Sequence, residues 1–446
     1  MTTDAGATTD PGATSDPRAE LLRRIRDGSA RVVVIGQGYV GLPLAMRAAE
    51  SGFAVVGFDT DTGRVESLAR GRSHVEDVSD NTLSAALATG YRPSAATEDL
   101  AGFDVAIITV PTPLREGAPD LSHIDAAAAA LAEHLVPGSL VVLESTTYPG
   151  TTEELLRPRL EDGGLRAEAD FFLGYSPERV DPGNATWNLV NTPKVVSGVG
   201  PRSRDIVVAF YSRLVDRVVP VASTGEAELV KLLENTFRHV NIALVNELAV
   251  FAHQLGLDIW SAIDAAATKP FGFQRFTPGP GVGGHCLPID PSYLAWRVER
   301  RLGHRFRFVE LANDVNHHMP DYVVARITAL LNQHGRPVRG ARVLLCGLAY
   351  KAGTSDSRES PAVHVARQLR DLGADLRVHD DHVPAHTVDA SAPRVACDLA
   401  EIQAADLVVI LVDHPDLPLD AIAQHARLVL DTKAALRGRR FVGELL

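Results

Sequence analysis

A dinucleotide-binding signature near the amino end constrains the fold of this chain more than any other feature. The β-branched run Arg31–Ile35 is typical of a buried strand, and it leads directly into GQGYVG, residues 36–41. A helical segment follows, and then a second apolar run, Phe53–Phe58, which ends at Asp59. The complete strand–loop–helix–strand unit predicts a doubly wound α/β domain that binds a dinucleotide.

Each part of this signature has a physical role. The first glycine makes the turn, the second lets a pyrophosphate approach the backbone, and the third lets the helix pack on the strand. An acid at the end of the second strand accepts hydrogen bonds from the adenosine ribose and repels the extra phosphate of NADP, so the cofactor is predicted to be NAD. The alternative is a doubly wound domain with incidental glycines. The predicted cofactor-binding residues of this unit are Gly36, Gly38, Tyr39, Val40, Gly41, Asp59 and Arg64.

Two further strands end in loops that are expected to contact the cofactor. Val105–Val110 leads into PTP, and Ser139–Leu143 leads into ESTTYPG. Open α/β sheets bind their ligands at the carboxyl ends of the strands. We therefore expect Pro111, Thr112 and Thr146 to line the cofactor crevice, with ordinary turn chemistry as the alternative.

The next strand, Phe171–Tyr175, is followed by SPERVDPGN. Glu178 and Arg179 lie just past its end, where an acid can orient a water or hold a substrate hydroxyl. A solvated surface loop is the alternative interpretation.

A long helical pattern follows these units. Ser223 and Glu226 match a capping box, and Gly256 ends the pattern. Lys231 and Asn235 are four residues apart, so they share one helix face. They are either a polar pair that faces the crevice or ordinary surface side chains.

The segment GPGVGGHCLPIDP, residues 279–291, is too rich in glycine and proline for a regular element. It predicts a tight loop that a ligand approaches closely and that presents Cys286. That thiol is either a nucleophile or a small buried hydrophobe.

A second array of strands and helices begins at Val343–Cys346 and lacks G-x-G-x-x-G. Its first crevice loop carries Lys351 and Arg358, which suit phosphate groups, so a second nucleotide site is predicted there. The fold class is therefore α/β, with two Rossmann-like doubly wound domains joined by a long central helix. The predicted divisions are a disordered tail (1–28), an NAD-binding domain (29–222), a central helical region (223–335) and a carboxyl-terminal nucleotide-binding domain (336–446).

Composition excludes several classes of function. The chain has 446 residues and a formal net charge of −12, which disfavours nucleic acid and anionic membranes as partners. No apolar run is long enough to span a bilayer. The three cysteines, Cys286, Cys346 and Cys397, are odd in number and lack zinc spacing, so we expect a cytoplasmic protein without a metal site. A metal site at His285 and Cys286 with His317 and His318 is the weaker alternative.

The order of these motifs resembles the UDP-glucose/GDP-mannose dehydrogenase family over nearly everything after the tail. The motifs that carry the resemblance are GQGYVG, VPTP, ESTTYPG, YSPERVDPGN, ELVKLLENTFRHVNIALVNELA, GPGVGGHCLPIDP and GLAYKAGTSDSRESPA. An alcohol oxidised fully to an acid needs a nucleophile to hold the intermediate aldehyde, and a thiolate does so through a thiohemiacetal and a thioester.

The resemblance implies a role for each residue. Cys286 is the nucleophile, Lys231 and Asn235 hold the reacting oxygen, and Asp290 orders the catalytic water. Glu178 assists thioester hydrolysis, and Thr146 positions water or cofactor. Arg358 lies near cofactor and substrate. The expected substrate-binding residues are Glu178, Arg179, Lys231, Asn235, Phe276, Gly283 and Lys351. A homodimer through the central helices is also implied.

One departure bears on the substrate. UDP-glucose members commonly carry Lys where this chain has Ile289, and TKPFGFQRFTPGPGVGGHCLPIDP looks more like the branch that acts on UDP-N-acetylhexosamines. The expected activity is NAD-dependent oxidation of UDP-N-acetylglucosamine at C6 to the uronic acid. UDP-glucose and UDP-N-acetylmannosamine are the alternative substrates. A dehydrogenase with a spectator Cys286 and a non-catalytic nucleotide-sugar binder are the alternatives from other classes.

Overall fold

The computed structural model describes residues 16–446 except 182–183, 185, 285–286 and 385–391. The chain divides into two compact units. The first contains the residues up to 115 together with 119–231, and the second contains 116–118 together with 232–446. None of the helices in the described part of the chain is long and apolar enough to cross a bilayer.

The first unit contains an eight-stranded sheet. Its strands are β1 (Arg31–Ile35), β2 (Ala54–Phe58), β3 (Tyr91–Ser94), β4 (Val105–Ile108), β7 (Leu140–Leu143), β8 (Phe172–Tyr175), β9 (Lys194–Gly198) and β10 (Val218–Pro220). The short strands β5 (Leu114–Arg115) and β6 (Ala118–Pro119) lie between β4 and the next helix in sequence.

The strand order of this sheet is that of a dinucleotide-binding fold. Strands β3-β2-β1-β4-β7-β8 run parallel in the 3-2-1-4-5-6 order, and β9 and β10 extend the edge beyond β8. Strand β9 is antiparallel to β8. The four central strands are buried on both faces, which explains why they appear in the sequence as continuous Val, Ile and Leu runs.

Helices cover the first sheet. They are α1 (Pro17–Asp27), α2 (Gly41–Glu50), α3 (Thr62–Ala69), α4 (Asp80–Thr89), α5 (Ser122–Ala132), α6 (Arg157–Glu161) and α7 (Pro201–Tyr211), with a 3₁₀ turn at Thr97–Leu100 and a π-helical turn at Thr152–Leu156.

Helix α1 corrects the prediction of a disordered tail over residues 1–28. Asp16 caps the helix by accepting a hydrogen bond from the Arg18 N–H. Leu21 and Ile25 lie one turn apart on the same face, and both are buried in the core of the first unit. The prediction failed for residues 17–27 because two apolar side chains at this spacing were overlooked beside an acidic, small-residue stretch. Residues 1–15 lie outside the described part of the chain.

The second unit contains a five-stranded parallel sheet of order β12-β11-β13-β14-β15, which is the 2-1-3-4-5 doubly wound order. Its strands are β11 (Arg342–Cys346), β12 (Asp375–His379), β13 (Leu407–Ile410), β14 (Val429–Asp431) and β15 (Gly443–Leu445). Its helices are α9 (Ile259–Ala267), α10 (Asp290–Leu302), α11 (Arg307–Gln333), α12 (Pro361–Asp371), α13 (Leu399–Ala404) and α14 (Leu419–His425). The prediction of two doubly wound α/β domains is confirmed.

Helix α8 (Thr224–Gln254) is the predicted long helix that joins the two sheets in sequence. The Ser223 hydroxyl accepts a hydrogen bond from the Glu226 N–H, and the Glu226 carboxylate accepts one from the Ala222 N–H, which completes the helix start. Gly256 ends the helical segment with a φ of 69°.

One glycine follows the first strand of each doubly wound sheet. Gly36 follows β1 with φ +92°, and Gly347 follows β11 with φ +94°. A Cβ at Gly36 would lie 2.9 Å from the Thr109 carbonyl oxygen, and a Cβ at Gly347 would lie 2.4 Å from the Val412 Cβ. Both positions require glycine because the chain turns under the neighbouring strand end.

We predict that Gly347→Ala destabilises the protein more than Gly353→Ala. Gly353 also has a positive φ, of 70°, but its added Cβ would meet no atom within 4 Å. Gly353→Ala should therefore lose about 1 kcal/mol from backbone strain alone. Gly347→Ala adds an overpacking cost and should lose about 3 kcal/mol. Thermal and denaturant unfolding measure both, and equal losses would contradict the packing argument.

Candidate active site

The glycine-rich loop after β1 has the geometry that a dinucleotide needs. A Cβ at Gly41 would lie 1.8 Å from the Gly36 carbonyl oxygen, so the third glycine is required for the close approach of α2 to the loop. A Cβ at Gly38 would meet no protein atom within 4 Å. The backbone at the second glycine is therefore open to a ligand, as a pyrophosphate at the amino end of α2 requires.

Asp59 and Arg64, both predicted to bind the cofactor, lie together at the end of β2. The Asp59 carboxylate accepts hydrogen bonds from the Gln37 N–H at 2.8 Å and the Asp61 N–H at 2.9 Å, and Arg64 donates to it at 2.8 Å. A carboxylate has about four acceptor positions. Three described donors therefore leave Asp59 one position for a ribose hydroxyl.

The loops after β4 and β7 meet through two predicted residues. The Thr112 hydroxyl donates to the Thr146 carbonyl oxygen at 2.8 Å. Thr109, which the sequence reasoning missed, donates to the Gly36 carbonyl oxygen at 2.8 Å and so ties the β4 loop to the nucleotide loop. Pro111 is exposed at the start of the same loop.

A buried acid at the start of α8 holds the segment that follows Thr146. Glu228 is fully buried, and its carboxylate accepts hydrogen bonds from the Gly150 N–H at 2.6 Å and from the N–H and hydroxyl of Thr152. Burial raises the pKa of Glu228 to about 7, against the lowering effect of these donors. The sequence reasoning missed this residue because an acid in the first turns of a helix is common for other reasons.

Glu178 and Lys231, both predicted to be catalytic, lie together in the first unit. The Lys231 ammonium donates to the Glu178 carbonyl oxygen at 2.6 Å. The Glu178 carboxylate turns back onto its own loop, where Oε1 accepts hydrogen bonds from the N–H groups of Arg179 at 2.8 Å and Val180 at 2.6 Å. The Arg179 guanidinium donates to the Pro193 carbonyl oxygen at 2.5 Å.

A buried lysine that the sequence did not single out completes this cluster. Lys194, the first residue of β9, contacts Glu178 Oε2 at 3.1 Å and also pairs with Glu144. Tyr211 donates its hydroxyl to the second oxygen of Glu144 at 2.6 Å. Glu144 is the first residue of the ESTTYPG motif, so the motif itself was the signal that could have identified it.

In the second unit, Asn235 and Asp290 are directly bonded. The Asn235 side-chain amide donates to Asp290 Oδ2 at 2.5 Å. Asp290 is buried and is the first residue of α10, so it lies in a helix start rather than within the predicted loop. A carboxylate at that position is favoured by the helix dipole.

Cys286 and His285 lie outside the described residues. The glycines before them are explained by protein packing. A Cβ at Gly283 would lie 2.7 Å from the Glu359 carbonyl oxygen, and one at Gly284 would lie 2.8 Å from the Tyr350 ring. These two glycines therefore pack against the chain itself, and the expectation that a ligand approaches this backbone does not account for them.

Two buried asparagines hold the start of the same loop. Asn246 on α8 accepts a hydrogen bond from the Gly279 N–H at 3.0 Å and donates to Asn316 on α11 at 2.9 Å. His239 contacts Asn316 within the same network and Asn313 at 2.8 Å. Burial lowers the pKa of His239, so the ring is neutral at physiological pH.

A pocket lies at the carboxyl end of β11, beside the loop in which a second nucleotide site is predicted. Lys351 and Lys433 line it together with Gly281 and Tyr350. Lys433 was not predicted, because it follows a short strand without a motif. Arg358 forms a two-pronged ion pair with Asp356.

Phe276, predicted to bind substrate, packs edge-on against Phe237 with ring centroids 5.8 Å apart. This contact accounts for part of its surface within the second unit, and its role toward substrate stays a prediction.

Among the described residues, His382, His414 and Asp416 bring metal-ligand atoms within 4.8 Å of one another. The Gly353 N–H donates to His414 Nδ1 at 3.2 Å, and His414 Nε2 contacts Asp380 Oδ2 at 3.2 Å. Both nitrogens of His414 are therefore used, and the group does not fit a metal centre. Of the weaker alternative, His318 lies exposed on α11 and contacts the Asp314 carbonyl oxygen.

We call the segment over residues 279–291, which contains Cys286, the cysteine loop. We predict that Asn246→Ala loosens the start of this loop. The change leaves the Gly279 N–H and the Asn316 amide without their buried partner, which should cost about 2 kcal/mol of unfolding free energy. Hydrogen exchange at Gly279 should accelerate. Asn241→Ala on the same helix is the control, because Asn241 bonds only the Phe237 carbonyl oxygen among its described contacts. Unchanged exchange at Gly279 in Asn246→Ala would contradict the assignment.

Comparison with known proteins finds nucleotide-sugar dehydrogenases that match most of this chain. A UDP-N-acetyl-D-mannosamine dehydrogenase from Pyrococcus horikoshii is 37% identical over 388 residues, which cover 86% of this chain and 90% of that protein. A UDP-N-acetyl-D-glucosamine 6-dehydrogenase from Pseudomonas aeruginosa is 37% identical over 358 residues, covering 80% and 83%. A solved structure of UDP-N-acetylmannosamine dehydrogenase from Pyrococcus horikoshii superposes with a TM-score of 0.84 at 35% identity, covering 93% of this chain and 98% of that one.

Three family models match consecutive parts of the chain. The NAD-binding domain model matches residues 30–215, the central domain model matches 225–318, and the UDP-binding domain model matches 344–438. With these matches, the resemblance seen in the motifs is confirmed, and NAD is the cofactor. The chain belongs to the UDP-glucose/GDP-mannose dehydrogenase family.

Proposed function

We propose that this NAD-dependent nucleotide-sugar dehydrogenase oxidises the C6 hydroxymethyl group of UDP-N-acetylglucosamine to the carboxylate. The observation that carries the proposal is the hydrogen bond between Asn235 and Asp290. It joins the polar face of the central helix to the residue four positions after Cys286, so two motifs from separate parts of the sequence meet at atomic contact.

In the first oxidation, some residues of this chain would hold the reacting oxygen and others would bind the cofactor. Lys231 and Asn235, one turn apart on α8, would hold the oxygen at the reacting carbon and stabilise its developing negative charge. When bound, NAD accepts a hydride from that carbon. The open backbone at Gly38 and the remaining acceptor position on Asp59 fit this cofactor.

The second oxidation requires the thiol. The thiolate of Cys286 would add to the aldehyde carbon and form a carbon–sulfur bond, which gives a thiohemiacetal. Its hydrogen would leave as hydride to a second NAD, and its hydroxyl proton would pass to solvent, which gives a thioester. The resulting thioester is cleaved by water, which returns the thiolate and releases the uronic acid. Asp290 would order that water, and Glu178 would accept its proton. Thr146 would position water or cofactor.

The UDP moiety is proposed to bind in the pocket of the second sheet, where Lys351 and Lys433 supply positive charge to a diphosphate. Gly283, Phe276 and Arg179 stay proposed contacts of the sugar, and Arg358 of the cofactor and substrate. The three segments that match the family models support the proposed division of the chain at residues 222/223 and 335/336.

The choice of sugar depends on Ile289 and the segment before Cys286. UDP-N-acetylmannosamine is the second candidate, because relatives named for each of the two substrates are both 37% identical to this chain. UDP-glucose is third, since members that use it commonly carry Lys at the position of Ile289.

We propose a cytoplasmic homodimer that associates through α8. Five large apolar side chains on one face of this helix are exposed in the single chain: Leu233, Phe237, Leu244, Leu248 and Phe251. Leu255, directly after the helix, is exposed too. A stripe of this length is typical of a protein–protein contact.

The substrate assignment predicts NADH formation with a defined stoichiometry. Purified protein is offered UDP-N-acetylglucosamine, UDP-N-acetylmannosamine, UDP-glucose and GDP-mannose separately, and NADH is counted per sugar consumed. Two NADH per UDP-N-acetylglucosamine and little with the others is the expected result. Two NADH with another sugar would move the assignment to that sugar. None with any of them would favour a non-catalytic binder.

The role of the thiol predicts a second result. Cys286→Ala should abolish the second NADH, because the aldehyde then has no covalent partner. Cys397→Ala is the control, since Cys397 lies 3.9 Å from Cys346 in the core of the second unit and has no proposed role in the chemistry. Full turnover by Cys286→Ala would make that cysteine a spectator.

A further inference from the structure

The loops at one end of the first sheet enclose a buried ammonium group between two carboxylates. Glu144 follows β7, Glu178 follows β8, and Lys194 opens β9. Glu144 and Lys194 are at most 3% exposed, and Tyr211 at the end of α7 is fully buried. A lysine is almost never buried this deeply unless it is paired, so the arrangement restrains several elements at once.

Hydrogen bonds account for three of the four acceptor positions of Glu178. Both positions on Oε1 are used by the N–H groups of Arg179 and Val180, and one position on Oε2 faces the Lys194 ammonium at 3.1 Å. Among the described contacts, the remaining position is on Oε2. Glu178 Oε2, the oxygen that Lys194 contacts, is therefore the atom that can accept a hydrogen bond from a water.

Titratable groups from four elements surround Glu178. Lys194 on β9 pairs with its carboxylate, and Lys231 on α8 donates to its carbonyl oxygen. Glu144, after β7, pairs with Lys194 and accepts a hydrogen bond from Tyr211 on α7. Burial by itself would raise the pKa of Glu178, but Lys194, the Val180 N–H and Lys231 lower it to about 2. Burial raises the pKa of Glu144 to about 7, against the lowering effect of Lys194.

We propose that Lys194 is a positioning residue for thioester hydrolysis: its buried ammonium keeps Glu178 a carboxylate and fixes the oxygen that accepts the proton of the attacking water. The inference rests on the proposed function and adds to it a residue outside the predicted site. Glu144 contributes indirectly, because it pairs with the ammonium of Lys194 and holds it in place. Tyr211 donates a hydrogen bond to Glu144 and so fixes that carboxylate.

Lys194 is one ammonium between two carboxylates, so its removal changes the charge balance of the whole cluster. Removing Lys194 alone leaves the buried carboxylate of Glu144 and the partly buried carboxylate of Glu178, and either of them can take up the compensating proton. Glu144→Gln removes that ambiguity and leaves Lys194 and Glu178 as a neutral pair. The informative comparison is therefore between Glu144→Gln and Glu144→Gln/Lys194→Met, which also avoids the instability expected of Lys194→Met alone.

The first measurement is infrared difference spectroscopy of the carboxylic-acid C=O stretch at neutral pH. The double variant should show a protonated acid that Glu144→Gln lacks, and adding Glu178→Gln should remove it. Absence of this band in the double variant would overturn the proposal. The measurement needs no turnover, so it decides the state of Glu178 even if the NADH assay refuted the proposed function.

The second measurement is quenched-flow release of the uronic acid after the NADH burst. Uronate release at pH 7 should be about 10²-fold slower in the double variant than in Glu144→Gln, which is the lower range for loss of a general base. The rate should recover as the pH rises, because Glu178 without Lys194 ionises only at higher pH. Equal rates and pH profiles would contradict a positioning role.

A matched control removes an ion pair at the other end of the same sheet. Asp104 precedes β4 and pairs with Arg24 at 2.5 Å, partly buried. Asp104→Asn should lower stability without a new acid band or a change in the pH profile of uronate release. If Asp104→Asn changed the pH profile as the Glu144→Gln/Lys194→Met double variant does, the effect would be one of stability and the proposal would fail.

Discussion

The buried ammonium of Lys194 is the interaction on which the carboxyl edge of the first sheet depends. One positive charge serves Glu144 and Glu178, which follow two neighbouring strands, and Tyr211 closes the cluster from a helix. Charges this deep are stable only when they are paired and hydrogen-bonded. The loops after β7 and β8 and the start of β9 are therefore held in one arrangement, and Lys231 reaches the backbone of Glu178 from α8 within it.

The second unit uses neutral polar groups for the same purpose. The hydrogen bond between Asn246 and Asn316 bridges α8 and α11, and Asn246 also accepts a hydrogen bond from the Gly279 N–H at the start of the cysteine loop. Asn235 bonds Asp290 where α10 begins. The loop glycines pack against Tyr350 and the segment before α12. Contacts within the second unit thus hold four described residues that precede or follow Cys286 in sequence: Gly279, Gly283, Gly284 and Asp290.

Much of this architecture could be predicted, for identifiable physical reasons. Strands buried on both faces are continuous apolar runs, so β1, β4, β7, β8 and β11 were evident, and the glycine signature predicted the first crossover. Lys194 and β9 were missed because a lysine at the start of a strand usually indicates an exposed edge. Glu144, Glu228 and Asn246 were missed because their burial depends on contacts with segments that are distant in sequence. Asp290 was predicted as catalytic but in a loop, since its position in a helix start depends on residues after Pro291.

We propose that Cys286 carries the sugar as a thiohemiacetal between the two oxidations and as a thioester after the second. The most direct measurement is rapid acid quenching of the protein with UDP-N-acetylglucosamine and NAD, followed by mass spectrometry of the peptide that contains Cys286. We expect a transient adduct of the uronyl nucleotide sugar on that peptide, formed and lost during turnover. Two NADH per sugar with Cys286 unmodified at every quench time would contradict it.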